Sequence, residues 1–230
     1  MKKSILLLFL TFALGSSFAQ PYKTIKVFKP YKWMIGVSWS AIDDDGRPFT
    51  GLFDVGNSWN YLLYPTKISV DRYFKYGWSI EASATYSQYL AGRLINNTTN
   101  TASTFACVDL NGKYSFYNHY APRMRWFDPY FTFGIGYTYR SNANVAQHVP
   151  TVNLGFGMNF WIVNNFGIRL HSNAKFGVYP GFWNTGTNYL QHSAGLVFRW
   201  GERKHKNGDF GKKKNKWIHG KKRYKSKKGH

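Results

Sequence analysis

Cysteine, acidic side chains and long apolar runs are all scarce in this chain of 230 residues. The single cysteine, Cys107, excludes an internal disulfide and cannot build a metal site by itself. Only 10 Asp and Glu stand against 31 Lys and Arg, which gives a formal net charge of +21. After residue 19, no stretch is long and apolar enough to cross a bilayer as a helix. The sequence therefore predicts neither a disulfide scaffold nor a helical membrane span.

Residues 1–19 have the anatomy of a secretory signal peptide. Two lysines are followed by an apolar run at 5–14 and by a small-residue ending at 17–19. A membrane anchor needs about 18 or more apolar residues, and this run is shorter. We therefore expect the mature chain to begin at Gln20, with a periplasmic N-terminal segment over 20–30.

The chain is instead rich in aromatic residues, at 20%, and it contains 22 glycines. Alternation with a period of two residues, which is typical of strands, recurs in about eight segments. In the first segment Trp33, Ile35 and Val37 share one face, while Gly36 and Ser38 share the other. The later segments repeat this choice of large apolar residues against small, polar or charged ones. The predicted strands lie near 31–41, 61–74, 78–91, 105–117, 129–140, 151–163, 167–178 and 189–200.

Segments of about ten residues have the length of tilted membrane-crossing strands, and an even number of them can close into a barrel without free edges. The connections alternate in length, with short turns at 75–77 and 164–166 and long loops at 42–60 and 92–104. Long loops are extracellular in such barrels and short turns are periplasmic. The connection at 118–128 departs from this rule because it is long for a periplasmic turn. Pro65 is unusual inside a strand, so the strand count could change by one hairpin.

The last predicted strand has a barrel-closing pattern, in which Ser193, Gly195, Phe198 and Trp200 are the marker residues. With the signal peptide, this pattern resembles the small eight-stranded outer-membrane barrels, the family that contains the OmpA-like membrane domain. The resemblance covers about residues 31–200. It implies an all-β, transmembrane, antiparallel up-and-down barrel in a bacterial, Gram-negative outer membrane, with no wide channel. It also implies outer-membrane lipids as neighbours, the barrel-assembly machinery as a partner during biogenesis, and a structural or adhesive role, sometimes within a larger assembly.

Charged residues recur on the face opposite the large apolar residues, which in a barrel is the lumen. The lumen of an eight-stranded barrel is just wide enough to be filled by side chains, and charges buried there must pair. We therefore interpret these residues as a polar plug. A gated pore is the alternative, since breaking the pairings of Glu81 and Asp109 would open a path for water. The predicted lumen charges are Lys67, Asp71, Glu81, Asp109, Lys113, Arg140, Arg169, Lys175 and Arg199.

Two short motifs could suggest a catalytic site and a metal site, and we interpret neither of them in that way. His171 and Ser172 loosely resemble the residues of outer-membrane lipid A deacylases, but neighbours in one strand point to opposite faces, and His192 with Ser193 meets the same objection. The acidic run 43–45 lacks the ligand spacing of a calcium loop, so we interpret it as a solvated acidic loop. No catalytic residue, metal or cofactor is expected.

Residues 201–230 hold thirteen Lys and Arg against two acidic residues, a net charge of +11. The segment is too polar to fold into the peptidoglycan-binding domain that often follows OmpA-like barrels. In a cytosolic protein its lysine clusters and aromatics would indicate nucleic-acid binding, but an even strand number places this tail in the periplasm. We expect docking to anionic lipid, peptidoglycan or an acidic envelope protein, and no nucleic acid. The predicted docking residues are Lys212, Lys213, Lys214, Lys216, Trp217, Lys221, Lys222, Arg223 and Tyr224.

These observations favour a non-enzymatic structural or accessory barrel, docked by its tail within a larger envelope complex for transport, secretion or assembly. A narrow porin is an alternative, which conductance would reveal. An outer-membrane lipid-modifying enzyme is a further alternative, which would require a His and Ser or an acidic constellation near the membrane interface.

Overall fold

The structure, a computed structural model, describes residues 31–46, 54–99, 102–116, 126–163, 165–179, 181–182, 184 and 186–201. The predicted signal peptide, the segment 20–30 and the predicted tail from residue 202 onward lie outside the described residues. The predictions made for them therefore stay predictions. Among the described residues no helix has the length and apolar character needed to cross a membrane.

Eleven strands are present in the described ranges, and eight of them are long enough to form the wall of a barrel. The long strands alternate inward and outward residues along almost their whole length. Three short strands belong to the connections: β2 (Trp59–Tyr61), β5 (Leu94–Ile95) and β6 (Thr98–Thr99). The long strands are β1 (Trp33–Asp43), β3 (Lys67–Lys75), β4 (Trp78–Tyr89), β7 (Ser103–Ser115), β8 (Phe127–Arg140), β9 (His148–Val163), β10 (Phe166–Gly177) and β11 (Tyr189–Trp200).

Each long strand pairs antiparallel with the next along the chain, and β11 pairs with β1. The closing pair runs from Trp33 opposite Trp200 to Asp43 opposite Leu190. Since β1 already pairs with β3 on its other side, no long strand keeps a free edge. The predicted closed, eight-stranded, up-and-down barrel is confirmed.

Glycine at position 195 has a physical reason at this closing pair. Gly195 lies opposite Ser38, and a Cβ atom at 195 would collide with the backbone oxygen of Val37 and with Ser38 itself. Because the obstacle is backbone, a larger residue cannot be accommodated by a side-chain rotation. One of the predicted closing residues therefore allows β1 and β11 to approach.

Small residues on the inner face make room for larger ones on neighbouring strands. A Cβ atom at Gly157 would meet the ring of Tyr130, and one at Gly155 would meet Thr132 and His171. Interiors of small barrels are commonly filled in this way, with small and large residues in alternation. The inward glycines of β9 are thus part of the filling of the lumen.

The barrel has two distinct ends. At one, β3 and β4 are joined by a tight turn at Tyr76 and Gly77, both with positive φ of 53° and 88°, and the Lys32 N–H donates to the Trp200 carbonyl at 3.1 Å. We call it the turn end. The first long strand begins there and the last one ends there. At the loop end lie the connections between β1 and β3, β4 and β7, β8 and β9, and β10 and β11.

The second predicted strand is interrupted at the expected place. Residues 59–61 form the short strand β2, which pairs with the last residues of β1, and the wall strand β3 begins only after Pro65 at Lys67. A proline cannot donate to the ladder, which explains the break. The small hairpin of β5 and β6 was not predicted, and it lies within the long loop after β4.

Candidate functional site

The lumen is the candidate functional site, because it contains all nine of the charged residues that the alternation places inside. None of the nine has more than 6% of its surface exposed. They form clusters at different heights along the barrel axis, and each cluster draws its members from strands that are distant in sequence.

The cluster nearest the turn end joins Asp71, Glu81, Lys113 and Arg169, from four different strands. Lys113 forms an ion pair with Asp71 and lies 3.6 Å from Glu81. The other oxygen contact of Glu81 is with Arg169, whose Nη1 lies 2.6 Å from Oε2. Glu81 is therefore shared by two cations, and the cluster links the wall across the lumen.

Polar side chains extend this cluster, so that its charges are held by hydrogen bonds as well. Arg169 Nε donates to Asn159 Oδ1 at 3.1 Å, and Asn159 donates in turn to Asp128 at 3.1 Å. Tyr31, just before β1, donates its hydroxyl to Asp71 at 3.2 Å. The ring of Tyr130 lies next to both cations, 4.8 Å from Lys113 Nζ and 5.6 Å from the guanidinium carbon of Arg169.

A second cluster in the middle of the lumen is centred on Asp109. Lys175 Nζ lies 2.7 and 2.8 Å from the two carboxylate oxygens of Asp109. Asn153 donates to Asp109 and to Asn111, each at 3.1 Å. Cys107 lies in the same group, with Lys175 Nζ 3.3 Å from its sulfur. The single cysteine is thus a buried small residue beside an ion pair.

The third cluster lies at the loop end and contradicts one prediction. Asp44 was interpreted as part of a solvated acidic loop, but that is wrong, because it is 1% exposed. Arg140 Nη1 and the Tyr89 hydroxyl each donate to its Oδ2 at 2.7 Å. Burial raises the pKa of Asp44, and the charge of Arg140 opposes this shift. Asp43 is also buried, at 5% exposure.

The alternation places six cations but only three carboxylates in the lumen. The structure adds Asp44 and Asp128, which are both buried there, so five carboxylates accompany the six cations. Asp43 is buried too, but it lies on the outward side of the alternation of β1, close to Ser58 and Trp59. Without the two added carboxylates more of the buried cations would lack compensation, at a cost of several kcal/mol each. Asp44 directly follows β1, two residues beyond the inward Ile42, so continuing the alternation past the end of the strand places it on the inner side.

Lys67 and Arg199 lie apart from the three clusters. Lys67 is 4% exposed, and among the described residues no carboxylate lies within 4 Å of its ammonium group. The Arg199 guanidinium stacks 3.7 Å from the ring of Trp161, near the turn end. Trp161 is an inward aromatic residue that was not predicted, and with Arg199 it fills this end of the lumen.

Apolar side chains pack around the third charged cluster at the loop end of the lumen. Tyr89, Ile95 and Phe105 are fully buried and belong to one hydrophobic cluster. The rings of Tyr89 and Phe105 meet edge to face at 5.8 Å. Ile95 comes from the hairpin of β5 and β6, which therefore inserts into the mouth of the barrel. We call the hairpin 94–99 the lid.

The lid is fastened to other loops by backbone hydrogen bonds. The N–H groups of Asn96 and Asn97 donate to the carbonyls of Asp44 and Asp45 at 2.8 and 2.9 Å, and the Asn96 side chain donates to the Asn144 carbonyl at 2.7 Å.

Arg140 also joins these loops, since it donates to the carbonyls of Ala146 and Gly186 at 3.3 and 2.9 Å. Ala146 in turn donates its N–H to the Gly186 carbonyl at 3.1 Å. All four loop-end connections therefore meet over the lumen.

One pair on the outer face has the composition of a nucleophile and a base. Ser172 and His192 are opposite each other in β10 and β11, and Ser172 Oγ lies 2.9 Å from His192 Nδ1. Spacing within one strand does not indicate this pair, because its members come together across two strands. The ring of Trp59 stacks on His192 at 4.5 Å. The backbone at both residues belongs to wall strands that are paired on either side, whereas an oxyanion hole is built from N–H groups that are free to bind substrate.

No group of three or more His, Cys, Asp or Glu side chains in the described part of the chain is arranged to hold a metal ion. The predicted docking residues of the tail lie outside the described residues.

Comparison with known proteins places the fold. No protein-family model matches the sequence, and the search of curated proteins found no match. Among solved structures, the chain is similar to the outer membrane protein OprG from Pseudomonas aeruginosa, with a TM-score of 0.52 at 12% identity, over 76% of this chain and 99% of that one. It is also similar to Neisserial surface protein A, with a TM-score of 0.50 at 10% identity, over 74% of this chain and 97% of that one.

At these identities the likeness concerns the fold, and the outer surface of the barrel agrees with it. Large apolar residues cover the outside of the wall, such as Val108, Leu110, Phe133 and Ile135, which are 46% to 63% exposed. In water such a continuous apolar surface would be unfavourable, whereas acyl chains cover it without loss. The chain is a small outer-membrane β-barrel protein with lipid around its wall.

Proposed function

We propose that this protein is a non-enzymatic structural or accessory barrel with a closed lumen, anchored in the outer membrane and docked by its tail to an acidic envelope partner. The observation that carries the first part is the filled lumen. Three ionic clusters and an apolar cluster occupy it from end to end, and the lid joins the four loops above it. Such an interior supports a rigid anchor more than a passage.

The second part of the proposal concerns the tail. Residues 201–230 carry a net charge of +11, and they leave the barrel beside Lys32 at the turn end, since residues 32 and 200 are hydrogen-bonded there. With the short turns in the periplasm, the tail faces peptidoglycan, the inner leaflet and the periplasmic sides of other envelope proteins. The positive charge of the tail would attract an acidic partner at moderate ionic strength, where screening is incomplete.

Deleting residues 201–230 tests the docking proposal. We expect the truncated protein to remain a folded, heat-modifiable barrel, because β11 ends at Trp200 and its pairing with β1 is complete without residues 201–230. Co-purification with the envelope partner in mild detergent should be lost. A variant that keeps the tail's length but replaces its Lys and Arg with Gln separates charge from length. Unchanged co-purification of both variants would overturn the docking proposal.

A further inference from the structure

The outer surface at the turn end carries three exposed cations, one just before β1 and two on the neighbouring strand β3. These are Lys32, Arg72 and Lys75, and we call them the cationic rim. Arg72 lies opposite Trp33 in the pairing of β1 and β3, and the Tyr73 N–H donates to the Lys32 carbonyl at 3.2 Å. The three positions therefore adjoin one another at one side of the barrel.

In the part of the chain that the structure describes, acidic side chains do not neutralise the cationic rim. Among the described residues, no carboxylate lies within 4 Å of any of the three cations. The acidic residues at the same height, Asp71 and Asp128, are buried in the lumen at 1% and 8% exposure. The wall thus separates them from the rim, and the charge of the rim faces outward.

Two of the three cations are stacked on aromatic rings. The Arg72 guanidinium carbon lies 4.5 Å from the ring of Trp33, and Lys75 Nζ lies 4.9 Å from the ring of Tyr76. Stacking uses the face of a guanidinium and leaves the N–H groups at its edge able to donate. Aromatic residues are enriched at the depth of lipid headgroups, so the stacked cations lie at the height of phosphate groups.

The outer surface at the loop end differs in charge. Its described ionisable residues are of both signs: Asp54 is exposed, Asp45 is half-buried, and Arg93 donates to the Val55 carbonyl at 3.1 Å. An arrangement with cations alone, stacked on interfacial aromatic residues, occurs in the described residues only at the turn end.

We propose that the cationic rim binds the phosphate groups of anionic phospholipids in the leaflet at the turn end. Arg72 and Lys75 donate to phosphate from their stacked positions, and Lys32 adds a third charge beside the start of the tail. This surface belongs to the barrel wall and is independent of what the tail binds.

The test uses the full-length protein in nanodiscs of phosphatidylcholine containing a small fraction of spin-labelled phosphatidylglycerol or, in a parallel sample, spin-labelled phosphatidylcholine. Electron paramagnetic resonance measures the motionally restricted fraction of each label. We expect the wild type to prefer phosphatidylglycerol. In the K32Q/R72Q/K75Q variant the preference should fall by about threefold or more, since one cation near an anionic surface changes partitioning by about fivefold.

The matched control is K225Q/K227Q/K228Q, which removes the same charge from the tail, and a second control, R72K/K75R, retains the charge of the rim. Both should keep the preference, and all variants should keep the heat-modifiable shift of a folded barrel. No preference in the wild type, or an unchanged preference in the rim variant, would overturn the proposal. A loss in the tail control equal to that in the rim variant would overturn it too, while leaving the docking proposal standing.

Discussion

The inner and outer faces of the barrel wall are built from alternate residues of the same eight strands, yet different forces hold them. Inside, six cations lie among five carboxylates, and single groups such as Glu81 are shared between strands. Outside, neighbours such as Leu110 and Ile135 contact lipid through surface that is apolar over most of the wall. The inner face is therefore stabilised by particular pairs of residues, whereas the outer face requires residues of one chemical class. A substitution that is tolerated on one face should be costly on the other.

The largest effect is expected when one buried carboxylate is neutralised. Glu81→Gln leaves Arg169, and in part Lys113, without compensation, and such a change typically costs about 3–5 kcal/mol of the free energy of unfolding. Urea unfolding in lipid vesicles, followed by tryptophan fluorescence, measures the loss. The double variant E81Q/R169Q should recover part of it, because the uncompensated cation is also removed. A single variant as stable as the wild type would show that the buried charges do not depend on one another.

A charge on the outer face should be the next most costly change. Leu110, 51% exposed and near the middle of β7, faces the acyl chains, and Leu110→Arg should lower the free energy of unfolding by about 2–4 kcal/mol. The same urea titration measures it, with Leu110→Met as the matched control. If arginine were tolerated as well as methionine, the assignment of this face to lipid would be wrong.

A smaller loss is expected at the closing pair. Gly195→Val places side-chain atoms against the backbone of β1, and forced overpacking usually costs about 1–3 kcal/mol. Ala194→Val, on the next residue of the same strand but on the outer face, is the control. Thermal loss of the heat-modifiable band compares the two variants. Equal stabilities would mean that the strands do not approach as closely as described.

The smallest effect is expected from an apolar exchange on the outer face. Ile135→Leu keeps the surface apolar, so the free energy of unfolding should change by less than about 0.5 kcal/mol. The same urea titration in vesicles measures it. A change as large as that of Gly195→Val would contradict the view that the outer face requires only apolar character.

The strands and faces were predictable because a period of two residues is visible within one segment. Partners across strands were less predictable. Alternation places Glu81 and Arg169 inside, but it does not indicate that they meet, because the register between distant strands depends on turns and closure. The same limit hid the pair of Ser172 and His192. Asp44 follows the last residue of β1, so its inward position is visible only when the alternation is continued into the loop. The lid has no periodicity to indicate its place over the lumen.

The closed lumen is the central claim, and conductance tests it most directly. Full-length protein is reconstituted in lipid vesicles, and these are fused with planar bilayers at neutral pH. Recovery of the heat-modifiable folded form from the same vesicles verifies that the protein has inserted. Since ion pairs, the apolar cluster and the lid fill the lumen, we predict a current indistinguishable from that of the bare bilayer. Reproducible, discrete current steps from the wild-type protein would contradict this account and would favour a narrow porin.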